Sequence, residues 1–253
     1  MHKQNHIALW ACPRSCSTLL ARSFEQRADC QVIDEPFYSP YFLTHGLNHP
    51  FREHIMAVRE TDISKIIAEL DKPFAAPKQF GFQKHIAKNV LPHFGTEWFP
   101  EKNIFLLREP VKIARSIKKI IPGDITLEDI GIEALYRIFQ HVRATNATPP
   151  LVIHANDLLV NPRKVLQKIC DTFDIPFLES MMSWKAGLED SNLFFTGALL
   201  PYSDNWYGGI KNSTGFKPFP SHNDEVPEKL LPVIEACMPI YEALSAHAVH
   251  FQN

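Results

Sequence analysis

The chain has no surplus of positive charge: 26 lysines and arginines stand against 28 aspartates and glutamates, a formal charge of −2. A general nucleic-acid or anionic-membrane surface needs a clear basic excess, so neither is expected. Any anionic ligand then has to be met by a few local cations. A long apolar run is missing too. The first apolar stretch, residues 7–12, is cut by Pro13-Arg14. It is too short for a secretory leader, and a membrane span needs about 20 residues. The five cysteines, Cys12, Cys16, Cys30, Cys170 and Cys237, are scattered, odd in number and form no CxxC pair. Neither a disulfide framework nor a zinc site is expected from them, and a reduced, cytoplasmic setting follows. Repeats and low-complexity tracts are absent, and nothing in the sequence sets an oligomeric state.

What is there is a globular chain of 253 residues, 45% apolar, enough for one large core and read here as one domain over residues 1–253. A short apolar run followed by a loop and a helical pattern recurs, which points to βα units and a parallel sheet. Residues 7–11 read as a strand buried on both faces, and 17–26 as a helix with Leu19, Leu20 and Phe24 at apolar spacing. Residues 30–33 form a second strand, ended by Asp34-Glu35-Pro36. The pattern predicts a helix over 61–70 and a third strand over 79–82. The clearest strand is 103–107, with Pro110 opening the next helix. A largely helical 125–144, a last strand at 151–154 and a helix from Asn161-Pro162 follow. Residues 185–225 read as loop, and 227–246 as a closing helix.

The first strand runs into Pro13-Arg14-Ser15-Cys16-Ser17-Thr18 and then a helix. Backbone N–H groups at a helix start make an anion site, to which Arg14 adds a forked cation and Ser15, Ser17 and Thr18 add hydroxyls. The competing reading is that these hydroxyls only cap the helix. The Walker A pattern, with its glycines and lysine, is absent, which speaks against a nucleoside-triphosphate kinase. Farther on, Arg108 ends a strand, where ligands of open α/β sheets collect, and Ser116 lies two turns into the following helix. The competing reading there is a solvated basic face bearing Lys112, Arg115 and Lys119, with Arg108 paired to Glu109.

The run Pro13-Arg14-Ser15-Cys16-Ser17-Thr18 resembles the 5′-phosphosulfate loop of sulfotransferases that use 3′-phosphoadenosine 5′-phosphosulfate (PAPS). That family turns through Pro-(Arg/Lys)-Ser-Gly-(Ser/Thr)-Thr, so Cys16 stands where glycine is usual; Cys16 is counted with the loop as cofactor-binding. Arg108 and Ser116 match the family's 3′-phosphate site, in the same order and on the same elements. Asp34-Glu35-Pro36-Phe37-Tyr38, Lys84-His85 and Ser213-Thr214-Gly215-Phe216 resemble a bacterial and plant branch, some of whose members are fused to aminotransferase-like domains. The resemblance covers residues 7–216. It implies a three-layer P-loop NTPase-like α/β fold with a central, mainly parallel sheet of about five strands. It also implies a late basic loop over the 3′-phosphate, for which Lys211, Gly215 and Lys217 are candidates although the family's GxxGxxK spacing is not reproduced.

The reaction implied is sulfuryl transfer from PAPS to a hydroxyl or amine of a small molecule or carbohydrate, with no metal. Positioning and electrostatics would dominate it, as in phosphoryl transfer. Two residues after strand ends, Glu35 and His85, are candidate bases, with Lys84 stabilising the bridging oxygen. Aromatics at Trp206-Tyr207 are candidates for an acceptor pocket. Two alternatives stand beside this reading: a non-catalytic nucleotide-binding protein of the same fold, and a P-loop small-molecule kinase.

Overall fold

A computed structural model of the chain describes residues 5–46, 52–121, 123–189, 191, 193, 209–218 and 226–251. Five strands form one sheet: β1 His6–Ala11, β2 Cys30–Asp34, β3 Phe80–Ile86, β4 Lys102–Leu107 and β5 Leu151–His154. Their order is β2-β3-β1-β4-β5 and every pairing is parallel. Parallel strands need crossovers, and helices supply them: α1 Ser17–Glu25, α2 Tyr38–His45, α3 Arg52–Val58, α4 Ile63–Leu70, α5 Pro110–Lys118, α6 Leu127–Ile130, α7 Ile132–Thr145, α8 Ala155–Val160, α9 Pro162–Phe173 and α10 Leu231–Ser245.

Burial on both faces explains why β1 is apolar without alternation. Its residues Ile7, Leu9 and Ala11 pack under Leu20 and Phe24 of α1 and Val165, Leu166 and Ile169 of α9. Ala8 and Trp10 point the other way, toward Ile113 and Ile117 of α5, Phe139 and Val142 of α7 and Val233 and Leu244 of α10. Three layers result. The Trp10 indole N–H is not stranded in this core, because it donates to Asn103 Oδ1 at 2.8 Å.

Two sequence expectations are corrected. The third strand does not stop at residue 82 but runs to Ile86, so Lys84 and His85 lie inside it rather than after it. Three polar residues in a row, Gln83-Lys84-His85, hide a strand whose side chains find buried partners. The helix expected over 125–144 is two helices, broken at Gly131, which takes φ 74° as α6 ends and α7 begins. A Thr126–Asp129 capping box starts the first of them. Helices α2, α3 and α8 were not expected.

Because the strands are parallel, the residues that follow Ala11, Asp34, Ile86, Leu107 and His154 all gather at one rim. From β1 the chain leaves toward β2, and from β4 it leaves toward β5. The rim between β1 and β4 is therefore the topological switch point, the crevice where open α/β sheets bind ligands.

Candidate functional site

The loop that leaves β1 makes two left-handed turns before α1 starts: Arg14 has φ 60° and Cys16 φ 66°. For residues with a Cβ each such conformation costs roughly 1–2 kcal/mol. Cys16 thus occupies a backbone position that suits glycine, and its thiol packs at the edge of the α1 layer. Cys16 is also the N-cap of α1, without a side-chain cap bond, and its carbonyl accepts from the N–H groups of Leu19 and Leu20 at 3.0 and 3.3 Å. The competing reading, in which these hydroxyls cap the helix, is not met at that N-cap. Ser15 is buried, with its hydroxyl 3.5 Å from the Pro13 carbonyl, Ser17 is the buried first residue of the helix, and Thr18 is half-buried.

Arg108, just past β4, donates from its guanidinium to the Arg14 carbonyl. The Arg14 Nε in turn donates to Ser116 Oγ at 2.9 Å. The residues expected to form two anion sites therefore make one contiguous cluster at the β1/β4 crevice. A cleft of about 270 Å³ opens there, lined by Arg14, Ser116, Lys119 and Ile120. Lys119, which the sequence places on a solvated helix face, is exposed and lines this cleft. Its neighbour Lys112 is exposed and paired to Glu109 at 2.7 Å. Burial pushes the Cys16 thiol above its ordinary pKa, and the charges of Arg108, Arg14 and Lys112 pull the other way.

Lys217 is exposed. Its segment is fixed elsewhere: Gly215 bridges Ser183, the Trp184 N–H donates to the Thr214 carbonyl at 3.2 Å, and the Trp184 indole donates to Ser213 Oγ at 2.9 Å. Trp206 and Tyr207 lie outside the described residues.

Two strands away along the same rim sits a buried ion cluster. The β2–β3 register sets Asp34 opposite Lys84. The Lys84 ammonium is 3.0 Å from Asp34 Oδ1 and donates to Glu35 Oε1. Asn89 Nδ2 lies 3.4 Å from the other Glu35 oxygen. Only 1% of Lys84 and 7% of Glu35 is exposed. Burial raises the Glu35 pKa, with Lys84 opposing and Asp34 reinforcing the rise. Burial pulls the Lys84 ammonium down, but Asp34 and Glu35 outweigh it and hold the group above its usual range. Glu35 itself is left-handed, φ 47°, at the same backbone cost of roughly 1–2 kcal/mol.

His85 is not part of this cluster. Adjacent residues of a strand point to opposite faces, so Lys84 and His85 cannot share one pocket. The His85 ring stacks on Trp10 with centroids 4.5 Å apart, and its Nε2 lies 3.1 Å from Gln83 Oε1. Burial, with the Lys84 charge behind it, pushes its pKa down to about 3, so the ring is neutral at physiological pH. The structure brings Glu35 and Lys84 together and leaves His85 in the core beneath the other layer. Asn89 and Arg59, which donates to the Asp34 and Glu35 carbonyls at 3.0 and 2.7 Å, were not found from sequence. Neither carries a local signal, because both reach Glu35 only through tertiary packing.

Among the described residues no group of three or more His, Cys, Asp and Glu side chains is placed to hold a metal ion, and no helix is long and apolar enough to cross a membrane. Two Arabidopsis thaliana proteins, branched-chain-amino-acid aminotransferase-like proteins 2 and 1, are 32% and 31% identical to this chain over 245 residues. The match takes in 96% of this chain but 42% of each relative, so the chain spans less than half their length. Among solved structures, a mouse sulfotransferase complexed with PAP superposes with a TM-score of 0.51 at 16% identity, covering 97% of this chain and 90% of that one. A sulfotransferase from Alicyclobacillus acidocaldarius gives a TM-score of 0.50 at 12% identity, over 81% of this chain and 96% of that one. At these identities the likeness speaks for the fold. The family model that matches this sequence, over residues 5–248, is the sulfotransferase domain, and the chain belongs to that family.

Proposed function

We propose that the chain transfers a sulfuryl group from PAPS to a hydroxyl or amine of a small-molecule or carbohydrate acceptor. The observation that carries this reading is the bond from Arg108 to the Arg14 carbonyl, together with that from Arg14 to Ser116. It joins the phosphate loop and the second anion site into one cationic crevice at the sheet's switch point. A nucleotide with phosphates at its 3′ and 5′ positions suits such a crevice, because two separate anionic ends meet two arginines, the hydroxyl of Ser116 and the amides at the start of α1. The donor, when bound, supplies the sulfuryl group and a phosphate leaving group. The Arg14 guanidinium and the loop amides would then face the negative charge that grows on that phosphate; each preorganised donor of this kind is worth about 3 kcal/mol.

At the other end of the rim Glu35 takes the acceptor proton at a carboxylate oxygen. Lys84 fixes that carboxylate and opposes the rise in its pKa that burial imposes. A base contributes roughly 10²- to 10⁴-fold. His85 is the weaker candidate, since its ring is sealed against Trp10. All five cysteines are unpaired, which fits the reducing cytoplasm as the place of action. A nucleotide-binding protein without turnover is the second reading, favoured by the Cys16 side chain at the loop position that suits glycine.

Calorimetry with adenosine 3′,5′-bisphosphate tests the binding half. Arg14→Ala and Arg108→Ala are each expected to weaken binding at least tenfold, about 1.4 kcal/mol, with no dependence on magnesium. Unchanged affinity in both variants, or tighter binding of ATP with magnesium, overturns the reading. Binding without sulfuryl transfer to any of a panel of alcohols, phenols, sugars and amines selects the second reading.

A further inference from the structure

We propose that Arg59 is a positioning residue for Glu35, holding the strained turn that aims its carboxylate along the rim. The inference rests on the reading of Glu35 as the base.

Glu35 carries a Cβ yet is left-handed, and strain of this kind persists only where the surroundings over-determine the backbone. Three sets of bonds do so. The Glu35 N–H donates to the Lys84 carbonyl at 2.8 Å, which ties the residue to β3. The Tyr38 N–H donates to the Glu35 carbonyl at 3.1 Å, which closes the turn into α2. From outside this local frame comes Arg59, whose Nη2 donates to the Asp34 carbonyl at 3.0 Å and the Glu35 carbonyl at 2.7 Å. One guanidinium nitrogen thus bridges the two peptide oxygens on either side of the strained residue. β2 is an edge strand, so carbonyls on its outer side have no neighbouring strand to satisfy them, and Arg59 supplies that donor. Arg59 is itself anchored, since its N–H donates to the Ile55 carbonyl at 3.1 Å as it prolongs α3.

Among the described residues, the charged and titratable groups around Glu35 are Asp34 of β2, Lys84 of β3, Lys88 of the turn after β3, Tyr38 of α2 and Arg59. Lys84 reaches the carboxylate directly, whereas Arg59 bonds to the backbone. Removing Arg59 therefore changes where the carboxylate points and how much positive charge faces it, and leaves the Lys84 bond to be broken or kept by that movement.

The test reads Glu35 without needing an acceptor. Glutamate side-chain carboxyls are labelled with carbon-13, and Glu35→Gln identifies the Glu35 signal by its loss. In Arg59→Met the titration midpoint of that signal is expected to move up by about one pH unit, a tenfold change in proton affinity. The affinity for adenosine 3′,5′-bisphosphate is expected to stay within about twofold, because the anion crevice is two strands away. Arg59→Lys, which keeps the charge but not the fork, is expected to restore at least half of the shift. With an acceptor that turns over, Arg59→Met lowers kcat and leaves the donor KM in place. An unmoved Glu35 signal in Arg59→Met, or in Arg59→Lys a shift accompanied by an equal loss of bisphosphate affinity, overturns the proposal in favour of a general support role. If Arg59→Met does not fold, Arg59→Gln takes its place, and an unmoved Glu35 signal in that variant overturns the proposal. Glu35→Gln turning over at the wild-type rate would instead sink the base reading, and the titration result for Arg59 would stand apart from it.

Discussion

Deleting the Lys84 ammonium tests the buried cluster on which the base assignment stands. In Lys84→Met the apolar stem remains, while Asp34 and Glu35 are left side by side with no ammonium between them. Removing one partner of a buried ion pair costs about 3–5 kcal/mol, because the surviving charge is not rehydrated. Two carboxylates survive here, so the upper part of that range is expected. In a chain of this size each kcal/mol corresponds to roughly 2–4 °C, so Tm falls by about 10 °C or more. The sign of the pH dependence follows from Glu35. Burial already holds its pKa above the ordinary value, and Lys84 is the main opposing influence. Without Lys84 the carboxyl rises further and takes up a proton on folding, so the variant loses stability as pH climbs above the unfolded value of about 4.3. The deficit against wild type is therefore largest near pH 8 and shrinks toward about pH 5. Urea unfolding at both pH values measures it, and the double variant Lys84→Met/Glu35→Gln, with one anion fewer, recovers part of the loss. A deficit below about 1 kcal/mol at the higher pH, or one equal at both, refutes the cluster as an energetic unit.

Cys16→Gly removes a Cβ from a left-handed position, and the relief of roughly 1–2 kcal/mol is offset by unfolded-state freedom and lost thiol packing. Stability should stay within about 1 kcal/mol while bisphosphate affinity rises about threefold or more by calorimetry; weaker binding would show that the thiol contributes to the grip. The His85 ring resonances should not titrate between about pH 5 and 8, because burial depresses the pKa. That depression makes wild-type stability fall as pH drops below about 6.5, and His85→Phe should lessen the fall in urea unfolding. Glu35→Asp withdraws the carboxylate by one methylene and should cut turnover about 100-fold with bisphosphate affinity nearly intact; activity above half of wild type would count against the base role.

The strands legible in the sequence are those with an unbroken apolar stretch. β1, β4 and β5 each hold one, at 7–11, 104–107 and 151–153, and their expected limits lie within a residue of those found. β3 was cut short because Lys84 and His85 look like rim residues until their partners, Asp34, Glu35 and Trp10, are known. Those partners come from other strands, and strand order is not written in any local pattern. α10 keeps its helix through Pro239, which a breaker rule alone would have split. At the site, the order of Arg14, Arg108 and Ser116 along the chain was legible, since each follows a strand at the carboxyl rim. Their direct bonding, and the arrival of Lys119 in the same cleft, depends on the β1–β4 pairing. Arg59 and Asn89 were illegible for the same reason.

The sheet order also says where an acceptor would sit under the proposed function. Neighbouring strands are about 4.8 Å apart, so the loop after β1 and the turn after β2, separated by β3, stand roughly 10 Å from each other along the rim. Transfer needs the entering oxygen or nitrogen, the sulfur and the leaving oxygen in line. With the leaving oxygen at the β1 loop and the proton acceptor at Glu35, that line runs over the carboxyl end of β3. The floor beneath it is the 3₁₀ turn Ala87–Asn89, whose Asn89 already touches the Glu35 carboxylate and whose Lys88 ammonium is pulled below its ordinary pKa by burial. A gap of that width takes the sulfuryl group and one nucleophilic atom but no second layer of acceptor between them. Under the proposed function the bulk of the acceptor would then extend outward from the rim, and selectivity among acceptors would be set there rather than at the charged crevice proposed to grip the donor.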